Sequence, residues 1–247
     1  MGLTDLRKAF AVMGADFPRG RPFWQHESFT KVAKGNKLLQ DITVYLPSSL
    51  EEKIFDDQQT IEQAWSSYKD HGYGFFFYAL TRVLKPRICV ELGVLQGFSL
   101  LTVARGLRDN KQGTIKGFDL FEDYPYHHEH FMNVRERIKM TSLENIAAVE
   151  RSDAFEVYKK FDSVDYLHVD ISNNGDTLRK IFEQWSHKVQ GVMIFEGGSQ
   201  QRDQVEWMIK YQKPPLVKAL EELRRQYLDW QIFVFEPFPS LTMAIRK

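Results

Sequence analysis

The stretch Arg87–Ser99, R-I-C-V-E-L-G-V-L-Q-G-F-S, decides how this chain is read. Ile88, Cys89 and Val90 form a short apolar run that predicts a buried strand, and Glu91 ends it. Gly93 and Gly97 bracket a turn, and from Ser99 the pattern S-L-L-T-V-A predicts a helix. Such a strand–turn–helix unit brings backbone N–H groups and a carboxylate to the carboxyl edge of a parallel sheet. Open α/β folds bind their small ligands there.

Strand and helix signals alternate on both sides of this unit. A helix over Tyr73–Leu84 stops at Pro86. After the glycine turn a helix runs to about Leu107, and Thr114–Leu120 (T-I-K-G-F-D-L) reads as a second strand. His127–Met140 reads as a helix, Ile146–Glu150 as a strand, Asp153–Phe161 as a short helix and Val164–Asp170 as a fourth strand. Asp176–Trp185 is helical, Gly191–Glu196 a fifth strand, and Val217–Tyr227 helical again. Trp230–Phe235 and Leu241–Arg246 flank the turn E-P-F-P-S, a link too short for a parallel crossover, so these strands pair antiparallel. The expectation is a Rossmann-like α/β fold: a seven-stranded, mostly parallel sheet with a reversed C-terminal edge strand and flanking helices. Residues 1–70 read as an N-terminal helical extension or cap, and residues 71–247 as the main domain.

Glu91, Asp119, Asp170 and Glu196 each fall where a strand should end, so in a parallel sheet their carboxylates gather at one crevice. A dinucleotide fingerprint, G-x-G-x-x-G, needs its middle glycine so that the backbone can approach a pyrophosphate. Here that position is Leu95, and Glu91 adds negative charge beside it. Both features argue for a cationic, phosphate-free nucleoside such as S-adenosyl-L-methionine. In this reading Glu91 faces the ammonium end of the ligand, directly or through water, and Asp119 accepts from the ribose hydroxyls.

At this point the chain resembles the class I S-adenosylmethionine-dependent methyltransferases. E-L-G-V-L-Q-G-F-S is similar to their first motif, F-D-L to the segment with the ribose-binding acid, and R-S-D-A-F-E to the segment that meets adenine. The resemblance implies cofactor contacts from Glu91, Gly93, Val94, Leu95, Gly97, Ser99, Asp119, Leu120, Asp153, Ala154 and Asp170. H-V-D-I-S-N-N-G-D and I-F-E-G-G-S are similar to segments of bacterial small-molecule O-methyltransferases, several of which hold a divalent cation at these two strand ends. Asp170 and Glu196 are therefore candidate Mg2+ ligands. Where catechol-type enzymes end the fifth strand in Asp-Asn, this chain has Glu196-Gly197.

Methyl transfer to an alcohol or phenol needs a base or a metal that acidifies the acceptor. Asp170 is the candidate for either role. His127, His128 and His130 follow the second strand, and His127 is the candidate for substrate contact or catalysis. His168, inside the fourth strand, reads as a packed core histidine, and Cys89 as a small buried hydrophobe. Gln200–Tyr211, with Arg202, Asp203 and Trp207, reads as a contributor to the acceptor pocket or to a homodimer contact.

Bulk properties narrow the classes. Lys+Arg and Asp+Glu balance at 33 each, giving no global field for nucleic acid or an anionic membrane. One cysteine excludes an intramolecular disulfide framework and suits a reducing cytoplasm. No stretch approaches the roughly 18 apolar residues of a membrane span. The expected function is methyl transfer to an oxygen of a small molecule, a natural product or sugar. Two other readings stay open: an NAD(P)-dependent oxidoreductase on a related sheet, and a methyltransferase-like domain that binds without turnover.

Overall fold

A computed structural model describes residues 20–125 and 129–247; His127 and His128 lie outside the described residues. Its sheet has strands β1 (Ile88–Leu92), β2 (Thr114–Asp119), β3 (Ala147–Arg151), β4 (Val164–Val169), β5 (Val189–Glu196), β6 (Trp230–Phe235) and β7 (Leu241–Arg246), in the order β3-β2-β1-β4-β5-β7-β6. β1 to β5 are parallel, and only β7 runs against its neighbours. The carboxyl ends of β1, β2, β4 and β5 therefore share one edge. Glu91 of β1 is in register with His168 of β4, which in turn faces Ile194 of β5.

The reversed strand is not at the edge. β7 inserts between β5 and β6, and β6 forms the border. The composition explains the order. Leu241–Ala244 are all buried, the continuous burial of an interior strand, whereas β6 leaves Gln231 exposed and Phe233 and Val234 part-exposed.

Helices cover both faces. On one lie α1 (Glu27–Lys34), α2 (Lys37–Thr43), α3 (Tyr73–Leu84), α4 (Phe98–Asn110) and α5 (Phe131–Met140). On the other lie α6 (Gly175–Trp185) and α7 (Leu216–Gln226). The segment before α3 shares the first core. Phe23 stacks on Tyr73 at 4.2 Å and packs edge-on to Phe29 and Phe76, and the Tyr73 hydroxyl donates to the Pro237 carbonyl at 2.8 Å. Aromatic edge and stacking contacts of this kind add to simple burial.

Two local expectations change. The helix expected over Asp153–Phe161 is reduced to a 3-10 turn, Val157–Lys160. The Asp153 side chain accepts from the Phe155 N–H at 2.9 Å, a local bond that competes with helix formation. Among the described residues, α5 starts only at Phe131, with His130 in extended conformation as its N-cap. No helix among the described residues is long and apolar enough to cross a membrane.

Candidate active site at the carboxyl edge of the sheet

Gly93 opens the turn after β1 at φ 85°, a left-handed conformation that favours glycine. A Cβ there would lie 2.1 Å from the Asp170 carbonyl oxygen, so the turn can lie against the end of β4 only without a side chain. The turn is held from β2. Asp119 Oδ2 accepts from the Val94 and Leu95 N–H groups at 2.7 and 3.2 Å, and Oδ1 accepts from the Phe121 N–H at 2.9 Å. The N–H groups that a pyrophosphate would need are thus bound by the chain's own carboxylate. Gly97, also left-handed, is the N-cap of α4.

Behind the turn lies a buried polar chain. Glu91 has no exposed surface; its Oε1 accepts from the Ser99 hydroxyl at 2.9 Å, and its Oε2 lies 3.1 Å from His168 Nδ1. His168, equally enclosed, places Nε2 at 3.4 Å from the Tyr68 hydroxyl. Tyr68 comes from the 3-10 turn Ser67–His71, ahead of α3, and its hydroxyl interacts with the Asp170 carboxylate. Burial, and then the neighbouring Asp170 and Glu196, push the Tyr68 hydroxyl well above its ordinary acidity range. Burial first, and then Glu196, push Asp170 up to about 7 against the opposing pull of His168.

At the end of β5, Glu196 is gripped by Arg202. Nε donates to Oε1 at 2.5 Å and Nη2 to Oε2 at 2.8 Å, both side chains being buried. Arg202 follows the N-cap Ser199, whose hydroxyl accepts from the Arg202 N–H, and stacks over Trp207 at 5.2 Å. Asn173 bridges β4 and β5, donating to the Val169 and Glu196 carbonyls.

Residues 90–195 match the family model for a methyltransferase domain. Over those residues the chain is similar to a methyltransferase domain. Solved structures share this fold. The O-methyltransferase TomG from Streptomyces achromogenes, in complex with SAM, is 14% identical with a TM-score of 0.59, over 76% of this chain and 90% of that one. The O-methyltransferase from Bacillus cereus, in complex with SAH, is 17% identical with a TM-score of 0.60, over 83% and 100%. The SAH-bound PaMTH1 from Podospora anserina is 15% identical with a TM-score of 0.53, over 100% and 97%. No curated protein sequence matches the chain.

The glycine turn suits a phosphate-free nucleoside: the Val94 and Leu95 N–H groups are taken, a Cβ is excluded at Gly93, and Asp119 and Asp170 lie beside it. Of the residues expected at the cofactor, Glu91 and Ser99 bond each other in the interior. Val94 is buried, Leu95 part-exposed and Leu120 exposed; Asp153 is exposed beside the buried Ala154. Asp119 and Asp170 are part-exposed at the crevice. A magnesium-type cation asks for a near-octahedral cage of oxygens. Both Glu196 oxygens are spent on Arg202, whose positive charge lies against them. No group of three His, Cys, Asp or Glu side chains converges among the described residues. The donor set at Asp170 and Glu196 does not fit a divalent cation.

His168 and Tyr68 are the participants that pattern reading does not assign. A strand buried continuously from Tyr166 to Val169 gives His168 no distinguishing signal, and Tyr68 lies in a turn whose long-range partner is 100 residues away.

Proposed function

We propose that this methyltransferase uses S-adenosylmethionine and transfers the methyl group to an oxygen of a small molecule, a natural product or sugar, in the cytoplasm. The observation that carries the reading is Asp119 closing the Val94 and Leu95 N–H groups to any pyrophosphate while Asp119 and Asp170 stand part-exposed at the same crevice. It favours a cationic nucleoside over a dinucleotide. TomG and the Bacillus cereus enzyme, solved with SAM and SAH on this fold, support the same cofactor.

When bound, the cofactor supplies a methyl group on a sulfonium, open to in-line displacement. In this reading the chain contributes position and a base. Gly93 and Asp119 hold the turn in place, while Asp119 and Asp153 present carboxylates on the nucleoside side. Asp170, with its acidity near neutral, takes the proton of the acceptor hydroxyl on a carboxylate oxygen as that oxygen becomes nucleophilic. Tyr68, His168 and Glu91 form the buried support behind it, so residues 20–72 act as a cap that completes the acceptor side. Fixing the acceptor in line is itself a large share of such a barrier.

Calorimetric titration with S-adenosylhomocysteine tests the reading. Binding by the wild-type protein is expected, with no response to NADH in a parallel fluorescence titration. Folded protein that binds NADH, or that binds no S-adenosylhomocysteine, overturns it.

A further inference from the structure

We infer that Arg202 is a built-in cation standing where a divalent metal would otherwise serve the acceptor, and that its Nη1 receives an anionic oxygen of that acceptor. The inference rests on the methyltransferase reading above.

The guanidinium is fixed from several sides. Nε and Nη2 hold both oxygens of Glu196, and Nη2 also lies 3.5 Å from the Asn173 carbonyl. The Ser199 hydroxyl caps the turn that carries Arg202. One residue later, Asp203 accepts from the Leu216 and Val217 N–H groups at 2.7 and 3.0 Å, tying that turn to α7. Gly197 makes the crossing possible: a Cβ there would lie 2.9 Å from Arg202 Cγ and 2.7 Å from Leu216 Cδ1. The Glu196-Gly197 pair is thus the local chemistry that lets an arginine lie across the end of β5.

Electrostatics and hydrogen bonding point the same way. Arg202 occupies both oxygens of Glu196 and sets a positive charge against them, so Asp170 and Glu196 do not offer a divalent cation two open carboxylates. Arg202 Nη1 is buried and has no hydrogen-bond partner among the described residues. A guanidinium donor left unpaired out of water is costly, and its planar fork matches oxyanions. Asp170 follows β4, which pairs with β5, and Arg202 lies across the end of β5 and reaches the Asn173 carbonyl in the loop after Asp170, so the two groups suit an acceptor whose hydroxyl has an anionic oxygen beside it, as in a hydroxy acid. The hydroxyl then meets Asp170 and the oxyanion meets Nη1.

The test uses full-length protein saturated with S-adenosylhomocysteine, whose own binding is measured on the same samples. Mn2+ is titrated and followed by electron paramagnetic resonance in wild type and D170N. The probe 2-hydroxybenzoate is titrated calorimetrically into wild type, R202M and R202K. Wild type is expected to bind no Mn2+ at this site. It is expected to bind 2-hydroxybenzoate at least about tenfold more tightly than either variant, since tenfold is about 1.4 kcal/mol and one charge-assisted hydrogen bond supplies that. R202K keeps the charge, so it reports loss of the fork even if R202M does not fold. Mn2+ bound by wild type and lost in D170N overturns the inference. Equal affinity for 2-hydroxybenzoate in all three proteins, absence of binding included, also overturns it. Failure to bind S-adenosylhomocysteine would instead sink the methyltransferase reading.

Discussion

Replacing Asp170 with asparagine separates the cost of its charge from its shape. The carboxyl titrates near 7 in the folded protein against an ordinary 3.8, so the folded state holds that proton more tightly than the unfolded chain. Asp170 therefore favours folding most while protonated, below its unfolded value. That contribution is lost as pH rises through the folded value near 7. At about 1.36 kcal/mol per pKa unit, keeping the carboxylate charged above pH 8 costs at most about 4 kcal/mol. The asparagine amide is uncharged throughout and keeps nearly the same volume. The D170N protein should thus gain stability relative to wild type as pH rises, by about 2–4 kcal/mol between about pH 4 and pH 8. Urea unfolding at several pH values, followed by the fluorescence of the five tryptophans, measures the difference. A difference that stays flat, or that falls with pH, refutes the assignment of an elevated pKa to Asp170.

Other consequences can be checked on the same protein. G93A would set a Cβ 2.1 Å from the Asp170 carbonyl at φ 85°, so it should cost about 3 kcal/mol or more in urea unfolding and abolish S-adenosylhomocysteine binding. Y68F removes a hydroxyl that lowers the pKa of Asp170, so carbon-13 resonances should show that carboxyl titrating at higher pH, with about 1–2 kcal/mol lost in stability. E196Q leaves Arg202 buried without its counter-charge and should cost about 3–5 kcal/mol, and the double variant E196Q/R202M should recover part of that loss in thermal unfolding.

Much of the fold is legible because its signals are local. Apolar runs ending in Glu91, Asp119, Asp170 and Glu196 mark parallel strands whose ends must meet at one edge, and the structure places all four there. The position of β7 is less visible, because a hairpin link fixes its direction relative to β6 but not which side of β6 faces β5. Local chemistry also misleads at Asp153, where an Asx bond replaces the helix that composition suggests. The site divides in the same way. Its carboxylates can be read from strand ends. The grip of Arg202 on Glu196 depends on the space left by Gly197, and Tyr68 reaches His168 only through the packing of the whole N-terminal segment. Such contacts depend on tertiary geometry, to which periodicity is blind.

Tyr68 gives that packing a thermodynamic meaning. Its hydroxyl is one of the groups that set the proton affinity of Asp170, yet it belongs to a segment docked through Phe23, Phe29 and the hydrogen bond from Trp65 N–H to Gln96. Docking of the segment and protonation of the carboxylate are therefore reciprocal: whatever free energy one lends the other must be returned in equal measure. Through this hydroxyl, loosening the segment makes Asp170 hold its proton more firmly, and protonating Asp170 loosens the segment's hold by the same amount. An N-terminal region with no catalytic motif of its own thus takes part in the acid–base equilibrium of a strand that begins nearly 100 residues later.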